Sequence, residues 1–396
     1  MARRQPVPAI LLLTLIVLAL AGAGLWWFLH PAPGPMRLTK TRFADVPGWS
    51  KNDTKPALSA FRRSCSLLAN RADSEAMGRY AGTVADWRGV CAAANKVAPD
   101  RVRGFFEQAF TPFAVTAGRV NDGRFTGYYE PEIAGSHKRH GRFQTPVYGK
   151  PDDLVSVDLG AFRPSLAGER IAGRVEGDKL VPFASRSEIE AHGLKHARVL
   201  FYTDDPIALF FLHIQGSGRV VFGDGSQARV SYAAQNGQPY TAIGKTLIAR
   251  GVPRDGMSLQ VIRAWLKSHP NDARAVMESD ASYIFFQEEP VGDPALGAKG
   301  AQGVALTPLA SLAVDPRLHG LGVPFFVTGQ LDRLFIAQDI GGAIRGVVRG
   351  DVYFGFGSAA EARAGTMDQT GRLYVLLPNS VAEKMKAQTD FPGAGP

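Results

Sequence analysis

The sequence predicts a mainly β fold with helices, of the α+β class, divided between two domains. Three observations carry this. A chain of 396 residues exceeds what one ordinary core serves, so two domains are expected once any targeting segment is set aside. Its 44 Gly and 26 Pro cut most of the chain into short apolar runs separated by turns, the texture of strands. Helical periodicity is confined to residues 55–113 and to a stretch after Tyr240, so helices separate two β regions. That alternation describes one domain inserted into another: residues 51–125 with 241–390 form a discontinuous domain, and 126–240 form the β insert.

The elements follow in chain order. Arg3 and Arg4 precede an uncharged apolar run from Val7 to Leu29, long enough to cross a bilayer as a helix. Basic residues before it favour export of everything after Leu29. Ala19, Ala21 and Ala23 would suit a cleaved signal peptide. The run continues through "LWWFL", however, and Trp26 and Trp27 suit a membrane interface. An uncleaved inner-membrane anchor over residues 1–30, with the rest in the periplasm, is the expectation. Pro31, Pro33 and Pro35 open a stiff linker that runs to residue 50.

Leu58, Phe61, Cys65 and Leu68 share one helical face, as do Val84, Trp87 and Cys91 in the next segment. Two apolar cysteines on neighbouring helices in an oxidising compartment predict a Cys65–Cys91 disulfide; two buried free thiols are the alternative. With no Cys/His cluster at ligand spacing, neither a metal nor a cofactor is expected. From "FTGYYEPEIAG" to "VSYAAQNGQPY" the chain reads as strands. Helical spacing returns in "TAIGKTLIARG" and "MSLQVIRAWLKSHP", where Ser258 caps a helix whose Val261, Trp265 and Leu266 share a face. After "DASYIFFQEEP" strands and turns resume to the end.

The net charge of +9 suits an acidic partner such as anionic lipid or a carboxylate-bearing polymer, or is plain solvated surface charge. No long Lys/Arg run concentrates it, and nucleic acid is not an expected partner.

The stretch "QDIGGAIRGVVRGDVYFGFGS", residues 338–358, sets Asp339 and Asp351 at element edges, with Ala343-Ile344 and Val352 to Phe356 read as short strands. "SLAVDPRLHGLGVPFFV" adds Asp315 at a strand exit. Turn capping explains each Asp singly; convergence on one edge of a small barrel explains all three.

The strings "AVDP", "AQDIGGAIRG" and "DVYFGFG" resemble the three-aspartate (3D) domain, a double-psi β-barrel. Upstream, "GYYEP", "FFLHIQGSGRV" and "YAAQNGQPYTAIGKTLI" resemble the membrane-bound lytic murein transglycosylase A family, and the likeness runs from about residue 43 to 380. Two features depart from the family pattern. No Cys before Cys65 would carry a lipid, and Asp280-Ala281 stand where Asn-Pro is common.

The resemblance implies cleavage of the β-1,4 bond between N-acetylmuramic acid and N-acetylglucosamine of peptidoglycan, with closure of a 1,6-anhydro ring and no water consumed. Ordinary glycoside hydrolysis needs two carboxyls. Here the sugar's own C6 hydroxyl attacks, so one carboxyl serves as acid and then as base, and by resemblance it is Asp351. To act as an acid it needs an apolar or carboxylate-rich setting; Arg345 and Arg349 would oppose this if close. Asp339 and Asp315 are expected as supporting carboxylates, Asp315 chiefly at turn amides. In the insert, Gln215 and Ser217 offer polar groups, and Gly216 and Gly218 close backbone approach to a sugar. Tyr128, Tyr129 and Tyr240 either stack on sugar rings or fill the core. Peptidoglycan glycan strands and the membrane are the expected partners; nothing in the sequence identifies a protein partner. Two rivals stand: an aspartic protease, disfavoured because Ile340 of "DIGG" lacks the supporting hydroxyl, and a non-catalytic wall-binding protein.

Overall fold

The computed structural model describes residues 34–166, 169–385 and 388–391, and the expected membrane segment from Val7 to Leu29 lies outside them. Among the described residues no helix is long and apolar enough to cross a membrane.

Six strands close into a barrel. Pro324–Val327, Arg333–Ile340, Ser311–Val314, Arg349–Phe356, Asp122–Glu130 and Asp368–Pro378 pair in that order, and the last pairs back to the first. Ser311–Val314 with Arg333–Ile340, and Arg349–Phe356 with Asp122–Glu130, run parallel; the other four contacts are antiparallel. This mixed closed barrel agrees with the double-psi expectation. Beyond Asp368–Pro378 the sheet continues through Phe110–Ala117, Met36–Lys40 and Gln388–Phe391.

Helices Lys55–Leu68, Val84–Ala94 and Val102–Ala109 cover the barrel. Leu58, Phe61, Leu68 and Trp87 are buried there, and a disulfide joins Cys65 to Cys91. The helical stretch ends sooner than its aromatics suggested. From Phe110 the chain is a strand, with Phe113, Val115 and Ala117 turned inward and Asp368–Pro378 alongside.

The second unit is also barrel-like. Ile284–Glu289, Gln227–Gln235, Ser217–Phe222 and Glu132–Gly135 form a sheet in that order. The pair Thr145–Tyr148 and Val199–Thr203 bridges both its edges, through Ser136 with Tyr202 and Gly149 with Phe286. Ile133, Val147, Phe201, Val220, Val230 and Phe286 fill the interior. Two helices interrupt what the sequence reads as continuous strand territory, Arg186–His192 and Pro206–Gln215. The second escapes periodicity because Leu209 through His213 are all buried, so no polar face marks its turns. Gly357–Thr366 escapes for the opposite reason, burying only Ala360 and Ala364. Ser258 caps Leu259–Ser268 as expected. Val261, however, faces solvent, and Leu259, Ile262 and Trp265 join Leu266 in packing.

Candidate functional site

The register of the first barrel builds the site. Ser311–Val314 runs between the two carboxylate strands, and Ala313 pairs with Asp339 on one side and with Asp351 on the other. Asp351 pairs onward with Thr126, and Thr126 with Asp368. Residues directly opposite across a sheet point to one face. Asp339, Ala313, Asp351 and Thr126 therefore form one row across the barrel wall, with the two Asp backbones about 10 Å apart at two strand spacings. A register shift between Leu312 and Ala313 skips Gln338. Such a bulge re-aims the residue after it. It sets Asp339 in the row, while the Gln338 amide donates to the Ala60 carbonyl and Ser64 in the core. Two expectations are corrected here. Asp351 is the third residue of its strand rather than at an exit, and Ala343-Ile344 lie in the turn before it rather than in a strand.

Asp351 is half-buried. The Thr126 hydroxyl donates to its Oδ1 at 2.7 Å. Burial pushes the carboxyl up to about 6. Arg349, the Thr126 hydrogen bond and Arg124 pull it down, while Asp339 pushes it further up. Arg349 stays off the carboxyl. Its Nη2 donates to Thr126 Oγ1 at 2.8 Å, and its Nη1 to the Arg124 carbonyl at 3.2 Å and to that of Gly350.

Asp339 is held from two sides: the Tyr128 hydroxyl donates to Oδ2 at 2.8 Å and the Ala301 amide to Oδ1 at 2.9 Å. Burial raises its carboxyl despite these bonds. The Tyr128 ring packs against Tyr353 with centroids 5.3 Å apart.

Asp315 stands apart from this pair. It is fully buried, and its oxygens accept from the Arg317 side chain and the Arg317 and Gly346 amides, with Arg345 at 3.5 Å. Burial raises its carboxyl, but the Arg317 and Gly346 donors outweigh burial and hold it below its usual value. Beside it, His319 Nε2 donates to the Val347 carbonyl at 2.8 Å, which leaves Nδ1 to accept from Tyr80. Together they pin the turn between the two carboxylate strands.

The insert meets the barrel along the strand that carries Thr126. Gln215 Oε1 accepts from the Tyr129 amide at 3.1 Å, next to Tyr128. Gly216 ends its helix in the left-handed region, with open space where a side chain would project. Ser217 is buried, and a side chain on Gly218 would meet Leu212 and the Pro131 carbonyl. Tyr129 is buried, with Arg263 at its hydroxyl. Tyr240 is half exposed, its phenol pushed up to about 12 by burial and by Asp280. Asp280 is buried, and its Oδ1 accepts from the nearby Ser282 amide and from the Thr241 amide 39 residues away in sequence.

Sequence reasoning passed over one element of the junction. Glu130 is fully buried between Arg219 and Arg229, at 3.7 and 3.5 Å, and accepts from the Ala298 amide. The guanidiniums donate to the carbonyls of Val291, Pro294 and Leu296. The chain passes between the barrel and the second sheet at Glu130–Glu132 and at 289–298 rather than at the expected 125/126 and 240/241, because Asp122–Glu130 pairs in the barrel and Ile284–Glu289 with Gln227–Gln235. Both passages are tied to this carboxylate. The second crossing leads to the Ala301 amide at Asp339. A carboxylate among aromatics in "GYYEP" was the available signal.

Residues 124–287 match the family described as MltA specific insert domain, and residues 310–377 match the 3D domain. Over 268 residues the chain is 35% identical to membrane-bound lytic murein transglycosylase A of Escherichia coli strain K12; the match covers 64% of this chain and 65% of that protein, just under two thirds of its length. The crystal structure of a membrane-bound lytic murein transglycosylase from Agrobacterium tumefaciens is similar at 32% identity and a TM-score of 0.77, covering 88% of this chain and 99% of that one. E. coli MltA with bound chitohexaose is similar at 29% identity and a TM-score of 0.61, covering 81% of this chain and 90% of that one.

Proposed function

Because the chain belongs to the membrane-bound lytic murein transglycosylase A family, we propose that it is a peptidoglycan lytic transglycosylase acting on the periplasmic side of the cell envelope. The observation that carries this reading is the row holding Asp351 and Asp339, with Asp351 pushed up to about 6. Such a carboxyl holds a proton at mildly acidic pH and releases it near neutrality, as one group serving in turn as acid and base requires. Chitohexaose bound to a family member supports a glycan as occupant.

In the first half-reaction Asp351 gives its proton to the glycosidic oxygen between N-acetylmuramic acid and N-acetylglucosamine as the bond from that oxygen to the muramic C1 breaks. In the second the muramic C6 oxygen bonds to C1, and its proton returns to Asp351. No water enters and the carboxyl ends as it began. Asp339, braced by Tyr128 and the Ala301 amide, keeps Asp351 protonatable by its nearby charge. Asp315 serves the fold of the turn. Gly216, with open space beside it, and exposed Tyr240 belong to the proposed glycan-binding side, while Gln215, Ser217 and Gly218 pack the junction with the Tyr128 strand behind it.

Digestion of purified peptidoglycan, with products separated and weighed by mass spectrometry, tests this. 1,6-Anhydro ends are expected from the native chain and none from Asp351→Asn. Reducing ends would instead indicate hydrolysis, and unchanged polymer a binding protein; either rejects the proposal.

A further inference from the structure

We propose that Thr126 is a positioning residue that fixes which oxygen of Asp351 carries the catalytic proton, and that Arg349 acts through it. This rests on reading Asp351 as the acid and base. An arginine has only donors. Arg349 Nη2 therefore occupies a lone pair of Thr126 Oγ1 at 2.8 Å, and the acceptor at hand for the hydroxyl proton is Asp351 Oδ1 at 2.7 Å. Oδ1 is thereby an acceptor. The acidic proton rides on Oδ2, to which no described residue donates, and Oδ2 is the atom left to protonate the glycosidic oxygen. When that proton has gone, the same hydroxyl keeps the carboxylate in place for the C6 proton.

The backbone supports the assignment. Thr126 stands directly opposite Asp351 in a parallel pair, and the β-branched side chain of a threonine restricts its χ1. Arg349 is spent on Thr126 and two carbonyls, so its charge lies near Asp351 without an ion pair that would strip the proton. The other groups facing Asp351 are accounted for. Arg124, on the strand of Thr126, is bound to Asp368 through two bonds of 2.7 and 2.8 Å. Asp339, two strands away, is held by Tyr128 and Ala301. The phenols of Tyr128 and Tyr353 are pushed far up by burial and stay neutral.

Thr126→Val replaces the hydroxyl with a methyl at nearly equal volume, and Thr126→Ser restores the hydroxyl. Release of 1,6-anhydro products is followed across the acid-to-neutral range with the full-length chain. Thr126→Val is expected to lower kcat by roughly 10–10²-fold with little change in KM, since the acid is present but unoriented. Its alkaline limb moves to higher pH, because a donor that favours the carboxylate is gone. Thr126→Ser returns both. Arg349→Met leaves the hydroxyl in place but frees its lone pair, so kcat falls on the acid plateau, where the lost charge changes no protonation state, and this supplies the reading should Thr126→Val fail to fold. An unmoved limb in Thr126→Val, or an unchanged acid-plateau kcat in Arg349→Met, with anhydro ends from the native chain, overturns this proposal and leaves the assignment of Asp351 standing. A native chain that makes no anhydro ends overturns both.

Discussion

Replacing Asp351 by Asn is expected to make the protein more stable near neutral pH while abolishing its chemistry. Asn keeps the shape and still accepts from Thr126, so the change isolates the charge. Burial raises the carboxyl from 3.8 to about 6; roughly two units at about 1.36 kcal/mol each give a ceiling near 3 kcal/mol. Asp351 is only half-buried, and solvent screening reduces this to about 1–2 kcal/mol. The sign follows from proton binding. Between about pH 4 and 6 the folded chain holds a proton on Asp351 that the unfolded chain has lost, so this group's favourable contribution fades as pH rises through that window. The Asn variant lacks that loss. Urea unfolding at about pH 4 and about pH 8 measures it: the two proteins should match at the lower pH, and Asn should be more stable at the higher. Equal stability at both, or an Asn variant weaker at about pH 8, would refute the claim that the fold holds Asp351 in its acid form.

The remaining expectations concern rate and assembly. Activity of the native chain should fall about tenfold per pH unit above about 6, as the acid form of Asp351 is depleted; a flat profile to about pH 8 would dismiss it as the acid. Ala313→Leu inserts bulk between Asp339 and Asp351 in their shared row, and should cost about 1–3 kcal/mol and roughly 10²-fold in activity; full activity in a digestion assay would contradict the shared face. Glu130→Ala strands two buried guanidiniums and should destabilise by about 3–5 kcal/mol in urea unfolding; a loss under about 1 kcal/mol would deny it the role of interdomain tie.

Much of the fold was legible because local pattern and burial agree. Cys65 and Cys91 carry the spacing of two buried helical faces, and those helices form and meet as read. Pro206–Gln215 was not legible, since a helix buried all round has no polar stripe to reveal its period. Residues 110–113, read as the end of a helical stretch, instead open the strand Phe110–Ala117, because their aromatics suit either element. What decides is the partner strand Asp368–Pro378, more than 250 residues away in the sequence.

For the site, residue order alone supplies the parts: three carboxylates, the glycine turn between two of them, and strings whose likeness names a chemistry. What surrounds each carboxylate was a matter of tertiary structure. Residue spacing says nothing of a bulge at Gln338, yet without it Asp339 would point away from Asp351. Nor does adjacency in sequence separate Arg345, which reaches Asp315, from Arg349, which reaches Thr126. A carboxyl's affinity for its proton depends on burial and on charges within a few ångströms, and those neighbours come from strands that are remote along the chain and adjacent only in the closed barrel.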